Sequence, residues 1–505
     1  MTSSATSDTS ARGRWMVLVA ALLGWMFDGL EMGLFPLVAR PALRDLLATT
    51  DETQISRWFS IITAVFLVGA ATGGVLFGWL GDRIGRVRAM TLSVLTYAIF
   101  SGICGLSAEA WQVAGFRFIA SLGMGGEWSL GVALVMEVWP DRSRGWLAGV
   151  IGAAANFGYM IIAIVALGLA AIIGDLYAAL LKAGIGVETA DWLVKNDGWR
   201  IMMLFGAVPA LLTFLIRLFV PESQKWQEED RKGTTSFWQT RDLLGILVGA
   251  SAALALITLW AVPGIHVGLR VGGSLAMLVL ITGGYLYPIV RFMDRANADE
   301  VAHGRIASAG ESIVPRLLLA AALSGVALLG TWGSMQSAPA WADKMTESKD
   351  PTAKSYTQMA SACGAVIGCV VAALLGNWLG RRKTYALLCI LSMGAVWNLY
   401  QWNDAYDNRF LLSAFAAGMI TAAFYGWLPL YLPELFRTKV RATGQGFGFN
   451  FGRVLAAVGV LQLSNIMKEY QVDWPGACTA MSSIYIVGLG LIWFAPETKG
   501  KPLPE

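Results

Sequence analysis

Long apolar stretches recur along the whole chain, and each is bounded by charged residues or by clusters of proline and glycine. A helix that spans a membrane needs about 20 predominantly apolar residues, so stretches of this length are typical of membrane-spanning helices. The pattern therefore predicts an all-α integral membrane protein with fourteen transmembrane helices. The stretches cover residues 15–38, 58–80, 88–106, 110–136, 146–172, 199–220, 242–262, 268–290, 315–337, 357–379, 384–401, 410–432, 443–466 and 476–495.

Two intervening stretches, 39–57 and 173–198, mix polar and apolar residues. The second carries several leucines, so we expect an interfacial helix that lies flat on the lipid. The alternative is that it covers the mouth of a central site.

The composition excludes a soluble enzyme. Of the 505 residues, 56% are hydrophobic and 14% are charged, whereas soluble proteins carry about a quarter charged residues. The sequence has no phosphate-binding G-x-x-x-x-G-K-[ST] loop, so we do not expect the protein to be powered by ATP hydrolysis. The net charge of +4 is spread over short loops, which gives no basic stripe for nucleic acid. Two histidines, and five cysteines without a C-x-x-C pair, predict no metal, cofactor or disulfide framework.

The basic residues predict the orientation in the membrane. With fourteen spans, most loop arginines and lysines fall on one side, which the positive-inside rule makes cytoplasmic. Both termini lie on that side, and residues 1–14 are expected to be a disordered tail. The first apolar run is too long for a signal peptide and carries Asp28 and Glu31, so we interpret it as a retained helix. We expect a multi-pass protein of the cell membrane, such as a bacterial inner membrane.

The chain contains an internal repeat. Residues 79–83 recur as 378–382, residues 221–223 recur as 496–498, and Glu137 with Arg144 recurs as Glu434 with Arg441. Parallel repeats of this kind place a central site between two halves. We therefore predict a six-helix N-terminal half, a linker with two extra helices, a six-helix C-terminal half and a short tail. Their bounds are 15–221, 222–314 (with helices at about 242–262 and 268–290), 315–496 and 497–505.

The segment Gly78-Trp-Leu-Gly-Asp-Arg-Ile-Gly-Arg-Val-Arg88 is the most specific motif. It resembles the loop between the second and third helices of the major facilitator superfamily. Asp82 can meet the positive N-terminus of a neighbouring helix or a partner arginine, and the resemblance implies that this contact holds one conformation closed. The alternative is a basic loop that only sets topology. We expect a conformational gate formed by Gly78, Asp82, Arg83, Gly85, Arg86, Glu137, Arg144, Glu434 and Arg441.

Further stretches resemble the sialate:proton symporter family within that superfamily. They are Phe27 to Glu31, Arg117 with Gly123 to Trp128, Glu137 to Pro140, and Gly198 to Arg200. The resemblance implies a fourteen-helix plan and transport of organic acids. It specifies the superfamily strongly and the substrate poorly.

Charged residues inside apolar helices need a reason, because each costs about 3 kcal/mol or more at the centre of a membrane. Asp28 and Glu31 share one face of the first helix, and Arg117 is predicted at a similar depth. Buried carboxyls can load a proton, so we assign proton coupling to Asp28, Glu31 and Glu127. The alternatives are interhelical hydrogen bonds and a structural ion pair with Arg117.

An arginine at membrane depth can hold a substrate carboxylate in its planar fork. Arg117 is one candidate. Arg453 is the other, and it either faces the substrate or neutralises the carboxylates of the first half. Asn156 occupies the position related to Arg453 by the repeat. The full set of candidate substrate-binding residues is Arg117, Asn156, Tyr159, Gln336, Tyr425, Asn450 and Arg453.

These observations favour a monomeric secondary active transporter that takes up an organic acid, such as sialic acid, by proton symport. Its predicted partners are a small organic anion, a proton and the lipid bilayer. A carrier of a neutral sugar or an exporter is the alternative with the same fold. A non-transporting membrane sensor is a third possibility, but sensors tend to carry a large cytoplasmic domain, which the sequence lacks.

Overall fold

The computed structural model describes residues 11–139, 143–209, 216, 219–262, 264–302, 313–346, 349–350, 352–469 and 473–504. These residues form helices and connecting turns, and no strand occurs among them. Several predicted features lie outside the described residues. They are most of the N-terminal tail, Pro140 of the motif that begins at Glu137, most of 210–218 in the sixth span, and 303–312 of the linker.

We call the first six helices the N-terminal half. They are α1 (Ala11–Leu47), α2 (Glu52–Ile84), α3 (Arg86–Cys104), α4 (Ala110–Val138), α5 (Arg144–Lys182) and α6 (Val187–Phe205). A short polar helix, α7 (Gln224–Arg231), follows them. The two extra helices, which we call the insert, are α8 (Leu243–Ala261) and α9 (Val267–Ala302).

The helices after the insert form the C-terminal half, and several of its transmembrane passages are split into shorter helices. They are α10 (Ile313–Ser334), α11 (Ala338–Met345), α12 (Ala353–Leu379), α13 (Arg381–Gln401), α14 (Asn408–Thr421), α15 (Phe424–Tyr431), α16 (Arg441–Asn450), α17 (Gly452–Glu469), α18 (Trp474–Met481) and α19 (Ile484–Leu491).

Eleven helical segments in the described part of the chain are long and apolar enough to cross a membrane. Each coincides with one of the fourteen predicted spans. The other three predicted spans, 199–220, 384–401 and 443–466, are not among the eleven. The second of these is one helix, α13, and the third is divided between α16 and α17.

The two stretches of mixed polarity are more helical than predicted. α1 continues to Leu47, and α5 continues to Lys182. A second helix then starts at Val187 and is interrupted by non-helical backbone at 195–198. The stretch 173–198 is therefore not one separate helix, because its first part belongs to α5. Its interfacial position stays a prediction. Asp45 holds this region together, because it accepts hydrogen bonds from Trp199 and Arg200 and pairs with Lys195.

The halves meet where α2 packs on α16 and α17 and where α5 packs on α12. Within the N-terminal half α1 packs closely on α5. A Cβ on Gly29 or Gly158 would overlap the backbone of the other helix, so glycine is needed for this approach. The insert lies against α2 and α17, and the Tyr285 and Thr72 hydroxyls are hydrogen-bonded at 2.6 Å.

Candidate functional site

A cavity lies between the two halves, and we call it the central cavity. The space between its lining side chains, including the part open to solvent, is about 1060 Å³. α1, α4 and α5 line one wall, and α10, α12, α15 and α17 line most of the other. Six predicted site residues line it, namely Asp28, Asn156, Tyr159, Gln336, Tyr425 and Arg453.

Arg453 places its guanidinium group at the wall of the central cavity. Its side chain is buried, and its Nε and Nη1 atoms have no hydrogen-bond partner among the described residues. The guanidinium carbon lies 5.4 Å from the centre of the Phe449 ring. The Asp28 carboxyl interacts with it electrostatically. A buried guanidinium with unused N–H groups is suited to bind a carboxylate.

Asp28 and Glu127 bring two carboxyl groups together on the N-terminal wall. Both are buried, and they lie within reach of a mutual side-chain hydrogen bond. Glu127 Oε1 occupies the space that a Cβ on Gly24 would need, one helical turn before Asp28. Two carboxylates repel each other, so this contact becomes a hydrogen bond only when one of them carries a proton.

Arg117 lies in a different place. Its Nη1 donates to Glu31 Oε1 at 2.9 Å, and both side chains are buried. The guanidinium sits 4.8 Å from the centre of the Phe35 ring and 4.4 Å from that of Phe66. The structure therefore contains the ion pair that was the alternative to substrate binding. A substrate role for Arg117 stays a prediction.

Arg117 also lines a second cavity of about 1270 Å³ open volume, between α1 and α2 on one side and α10 and α11 on the other. Met32, Trp332 and Gln336 line both cavities. The two cavities are therefore adjacent, and the second one leads away from the chain termini.

Polar groups tie the halves together across the central cavity. Gln336 donates to the Tyr159 hydroxyl at 3.0 Å, and Gln358 donates to the Tyr159 carbonyl oxygen at 3.1 Å. Asn156 donates to Gly152 within its own helix. Sequence analysis missed Gln358, although a glutamine within an apolar run is a usable signal.

Sequence analysis also missed three tryptophans that line the cavity, Trp25, Trp128 and Trp332. Trp128 stacks on Phe449 with ring centres 3.7 Å apart. Aromatic residues are common in membrane helices, so the sequence could not distinguish these rings from packing residues.

Asn450 was predicted to bind substrate, but it does not appear among the described residues that line either cavity. It donates instead to the Gly125 carbonyl oxygen at 3.0 Å, between α16 and α4. Its position supports a role in holding the halves together.

The predicted gate residues gather on the side of the molecule where both ends of the described chain lie, which we call the terminal side. Asp82 accepts hydrogen bonds from the Thr443 backbone N–H at 2.9 Å and hydroxyl at 2.5 Å, at the N-terminus of α16. It also pairs with Arg86 at 2.5 Å. Gly78 lies against Ala442 and Thr443. Asp82 thus meets both a helix N-terminus and an arginine.

Glu137 and Glu434 are the centres of two related ion clusters on this side. Glu137 accepts from Arg441 at 3.1 Å and from the Ser223 hydroxyl at 2.6 Å. Glu434 accepts hydrogen bonds from Arg381 Nη2 at 2.7 Å and from Arg381 Nε at 3.0 Å. The pair of Glu137 with Arg441 crosses between the halves, whereas the pair of Glu434 with Arg381 lies within the C-terminal half.

Arg144 adds a further contact across the terminal side. It lies 3.8 Å from Glu434 and donates to the Lys501 carbonyl oxygen at 3.4 Å. Arg83 lies outside the interface between the halves and donates to Thr240 of the linker.

The two copies of the repeat around residues 79–83 and 378–382 superimpose in the structure with a different register from the one that their sequence identity suggested. Gly85 and Gly380 both have positive φ, of 107° and 96°. The next residues, Arg86 and Arg381, both donate to a carbonyl oxygen five residues earlier at 2.8 Å. The counterpart of Asp82 is therefore Asn377, so the predicted match of Asp82 with Arg381 is wrong by one helical turn.

Glu222 and Glu497 occupy equivalent places beside these glycines. Glu222 accepts the Arg86 and Val87 N–H groups, and Glu497 accepts those of Arg381 and Arg382. Burial raises the pKa of Glu222 against the effect of these donors. Burial also acts on Glu497, but the N–H donors outweigh it and lower the pKa of that carboxyl.

Among the described residues, no group of three or more His, Cys, Asp or Glu side chains is placed to hold a metal ion.

Comparison with known proteins covers both halves of the chain. Residues 16–278 and 327–503 match the family described as "Sugar (and other) transporter". A probable 4-methylmuconolactone transporter of Cupriavidus pinatubonensis is 24% identical over 492 residues, which are 95% of this chain and 90% of that protein. The cis,cis-muconate transport protein of Acinetobacter baylyi is 24% identical over 438 residues, 87% and 84% of the two chains.

Among solved structures, the proton:xylose symporter XylE from E. coli superimposes with a TM-score of 0.65. The identity is 17%, and the alignment covers 97% of this chain and 98% of that one. At this identity the likeness concerns the fold alone.

Proposed function

This chain belongs to the Sugar (and other) transporter family and has the major facilitator fold, and we propose that it takes up a small organic carboxylate by proton symport. One observation carries the proposal. The central cavity is lined by Arg453, two of whose guanidinium nitrogens have no hydrogen-bond partner among the described residues, and by Asp28, whose carboxyl adjoins that of Glu127.

The coupling follows from the charges. When Asp28 and Glu127 are both ionised, Asp28 competes with the substrate for Arg453. A proton between the two carboxyls removes one negative charge beside the guanidinium, which favours binding of a substrate carboxylate. Proton and anion then bind together and cross together, so the pair would account for symport.

The lining favours a flat, unsaturated acid. Three tryptophans and two tyrosines line the central cavity, which also holds Arg453, and aromatic faces stack on conjugated groups. Two relatives are named as transporters of cis,cis-muconate and of 4-methylmuconolactone. The resemblance to sialate:proton symporters stays a prediction, and the amides of Asn156, Gln336 and Gln358 would suit the hydroxyls of a sugar acid.

The test is uptake by the purified protein in liposomes, with cis,cis-muconate, benzoate, sialic acid and xylose supplied separately. We expect uptake of a carboxylate to rise with an inward proton gradient, to collapse with a protonophore, and to be indifferent to sodium. Uptake of xylose without any acid would support the neutral-sugar alternative instead. Uptake that follows sodium and ignores pH would refute proton coupling.

The proposed orientation places the terminal side in the cytoplasm. The gate residues would then close the cytoplasmic side in this structure, and the second cavity would lead outward.

A further inference from the structure

The two cavities contain few charged side chains. Among the described residues that line the central cavity, Asp28 and Arg453 are the only two that carry a charge. In the part of the chain that the structure describes, the second cavity adds Arg117 alone, and that guanidinium is already paired with the Glu31 carboxylate at 2.9 Å. A substrate in the central cavity therefore has one cation to meet, which is Arg453.

Uncharged polar groups gather elsewhere on the wall of the central cavity. Gln336 and Gln358 both donate to Tyr159, one to its hydroxyl at 3.0 Å and the other to its carbonyl oxygen at 3.1 Å. All three residues line the cavity, and we call them the neutral polar cluster. The Tyr159 hydroxyl accepts from Gln336, so its own hydrogen remains to be donated to another group.

Arg453 and the neutral polar cluster lie at different depths. A rise of 1.5 Å per residue places Arg453 about 18 Å along its passage from Arg441 on the terminal side, and Gln358 about 32 Å along α12 from Leu379. Gln336 lies toward the second cavity, because it lines both cavities. A substrate can thus place one end at Arg453 and the other end at the neutral polar cluster.

We infer that the central cavity selects acids with a single carboxylate whose other end carries an uncharged polar group, such as a hydroxyl, an amide or an ester carbonyl. The inference deepens the proposed function and rests on it, because it takes Arg453 as the group that binds the carboxylate. A second carboxylate would lie at the neutral polar cluster, where no described lining residue offers a positive charge.

The discrimination against a second carboxylate should be large. Amide and hydroxyl groups can donate hydrogen bonds to it, but they do not neutralise its charge, and the Asp28 carboxyl adds a further negative group to the same cavity. A buried charge without a partner of opposite sign is strongly unfavourable, so we expect a dicarboxylate to bind about 100-fold more weakly than the matching neutral compound.

The experiment compares two acids of nearly the same shape. 4-Carbamoylbenzoate and terephthalate differ in that a neutral amide replaces one carboxylate, and at neutral pH terephthalate carries two charges. Uptake of each at low concentration is measured in proteoliposomes under one inward proton gradient, with the membrane potential held at zero by valinomycin and equal potassium. cis,cis-Muconate and its monoamide form a second pair for an open-chain acid. In each pair we expect the singly charged acid to be taken up about 100-fold faster.

Equal uptake of the two members of a pair would overturn the inference. Uptake of sialic acid alone would agree with it, because that acid also has one carboxylate. If the protein takes up none of these acids, nor benzoate, the proposed function itself is refuted. These comparisons need only the wild-type protein.

Gln336→Lys tests where the second group of the substrate lies. It places an ammonium in the neutral polar cluster and keeps a donor for the Tyr159 hydroxyl. Since a hydrogen bond to a charged group changes affinity by about 10- to 100-fold, terephthalate uptake should rise by about tenfold or more relative to that of 4-carbamoylbenzoate. Gln336→Met is the matched control, because it has a similar length without the charge, and terephthalate should stay excluded. An unchanged ratio in a Gln336→Lys protein that still transports benzoate would contradict the inference.

Discussion

At the residue scale, the two arginines at membrane depth look alike in sequence but differ in surroundings. Each has mainly apolar neighbours along its helix. The structure gives Arg117 a carboxylate and two aromatic rings, whereas two nitrogens of Arg453 have no partner among the described residues. Sequence analysis identified both as candidates. It could not decide between them because the deciding partners lie on other helices.

We expect Arg453→Lys to weaken substrate binding while the protein stays folded. Lysine keeps the charge but loses the planar fork. A hydrogen bond to a charged group contributes about 1.5–3 kcal/mol, so the dissociation constant should rise by roughly 10- to 100-fold. Substrate binding and thermal stability measured on the same preparation check this.

Arg117→Lys is the matched control, since it makes the same change at the other buried arginine. It should lower thermal stability, because Glu31 would keep a poorer partner, and should affect binding less. If Arg117→Lys weakens binding more than Arg453→Lys does, the roles of the two arginines are reversed.

At the scale of helices, the apolar pattern predicted where most spans lie but not how far they extend. α1 and α5 run beyond their predicted ends, because polar residues outside the apolar core can continue a helix without changing its hydrophobic signal. Register within the repeat was also misjudged. Trp-Leu-Gly occurs in both copies, but the glycine that ends the helix is Gly85 in one and Gly380 in the other. Letter identity cannot reveal which glycine adopts positive φ.

We expect Asp82→Asn to change the rate of transport more than the affinity. Asparagine retains an acceptor for Thr443, but it removes the charge at the N-terminus of α16. That charge contributes about 0.3–2 kcal/mol to the closed terminal side and is absent from the substrate site. Initial rates over a range of substrate concentrations should therefore show a lower kcat with a nearly unchanged KM.

Asn377→Ala provides the comparison for this prediction. Asn377 is the spatial counterpart of Asp82 and is exposed, so its replacement should leave kcat unchanged. A large loss of affinity in Asp82→Asn with normal turnover would contradict a role in the conformational gate.

At the scale of the whole molecule, the contacts between the halves are concentrated on the terminal side. Asp82 with Thr443 and Glu137 with Arg441 close that side, whereas the second cavity lies on the opposite side. On that opposite side Arg40 and Asp343 form an ion pair at 2.7 Å between α1 and α11. A transporter that alternates between two openings must break one set of contacts as it forms the other. In this structure the contacts of Asp82 and Glu137 across the halves hold the terminal side closed.

The insert is expected to be dispensable for binding but not for stability. The described residues that line the two cavities include none from α8 or α9. The insert nevertheless touches both halves, through α2 and α17. Asp242, the residue before α8, also pairs with Arg295 of α9 at 2.5 Å.

Replacing residues 240–302 with a flexible Gly/Ser linker should therefore lower the melting temperature while the dissociation constant changes by less than about threefold, under 1 kcal/mol. The milder variant Tyr285→Phe removes only the hydroxyl contact with Thr72, and it should shift stability in the same direction by a smaller amount. Thermal unfolding and substrate binding in detergent measure both quantities. If the deletion protein remains folded but no longer binds substrate, the insert contributes to the substrate site and the prediction that it is dispensable for binding is wrong.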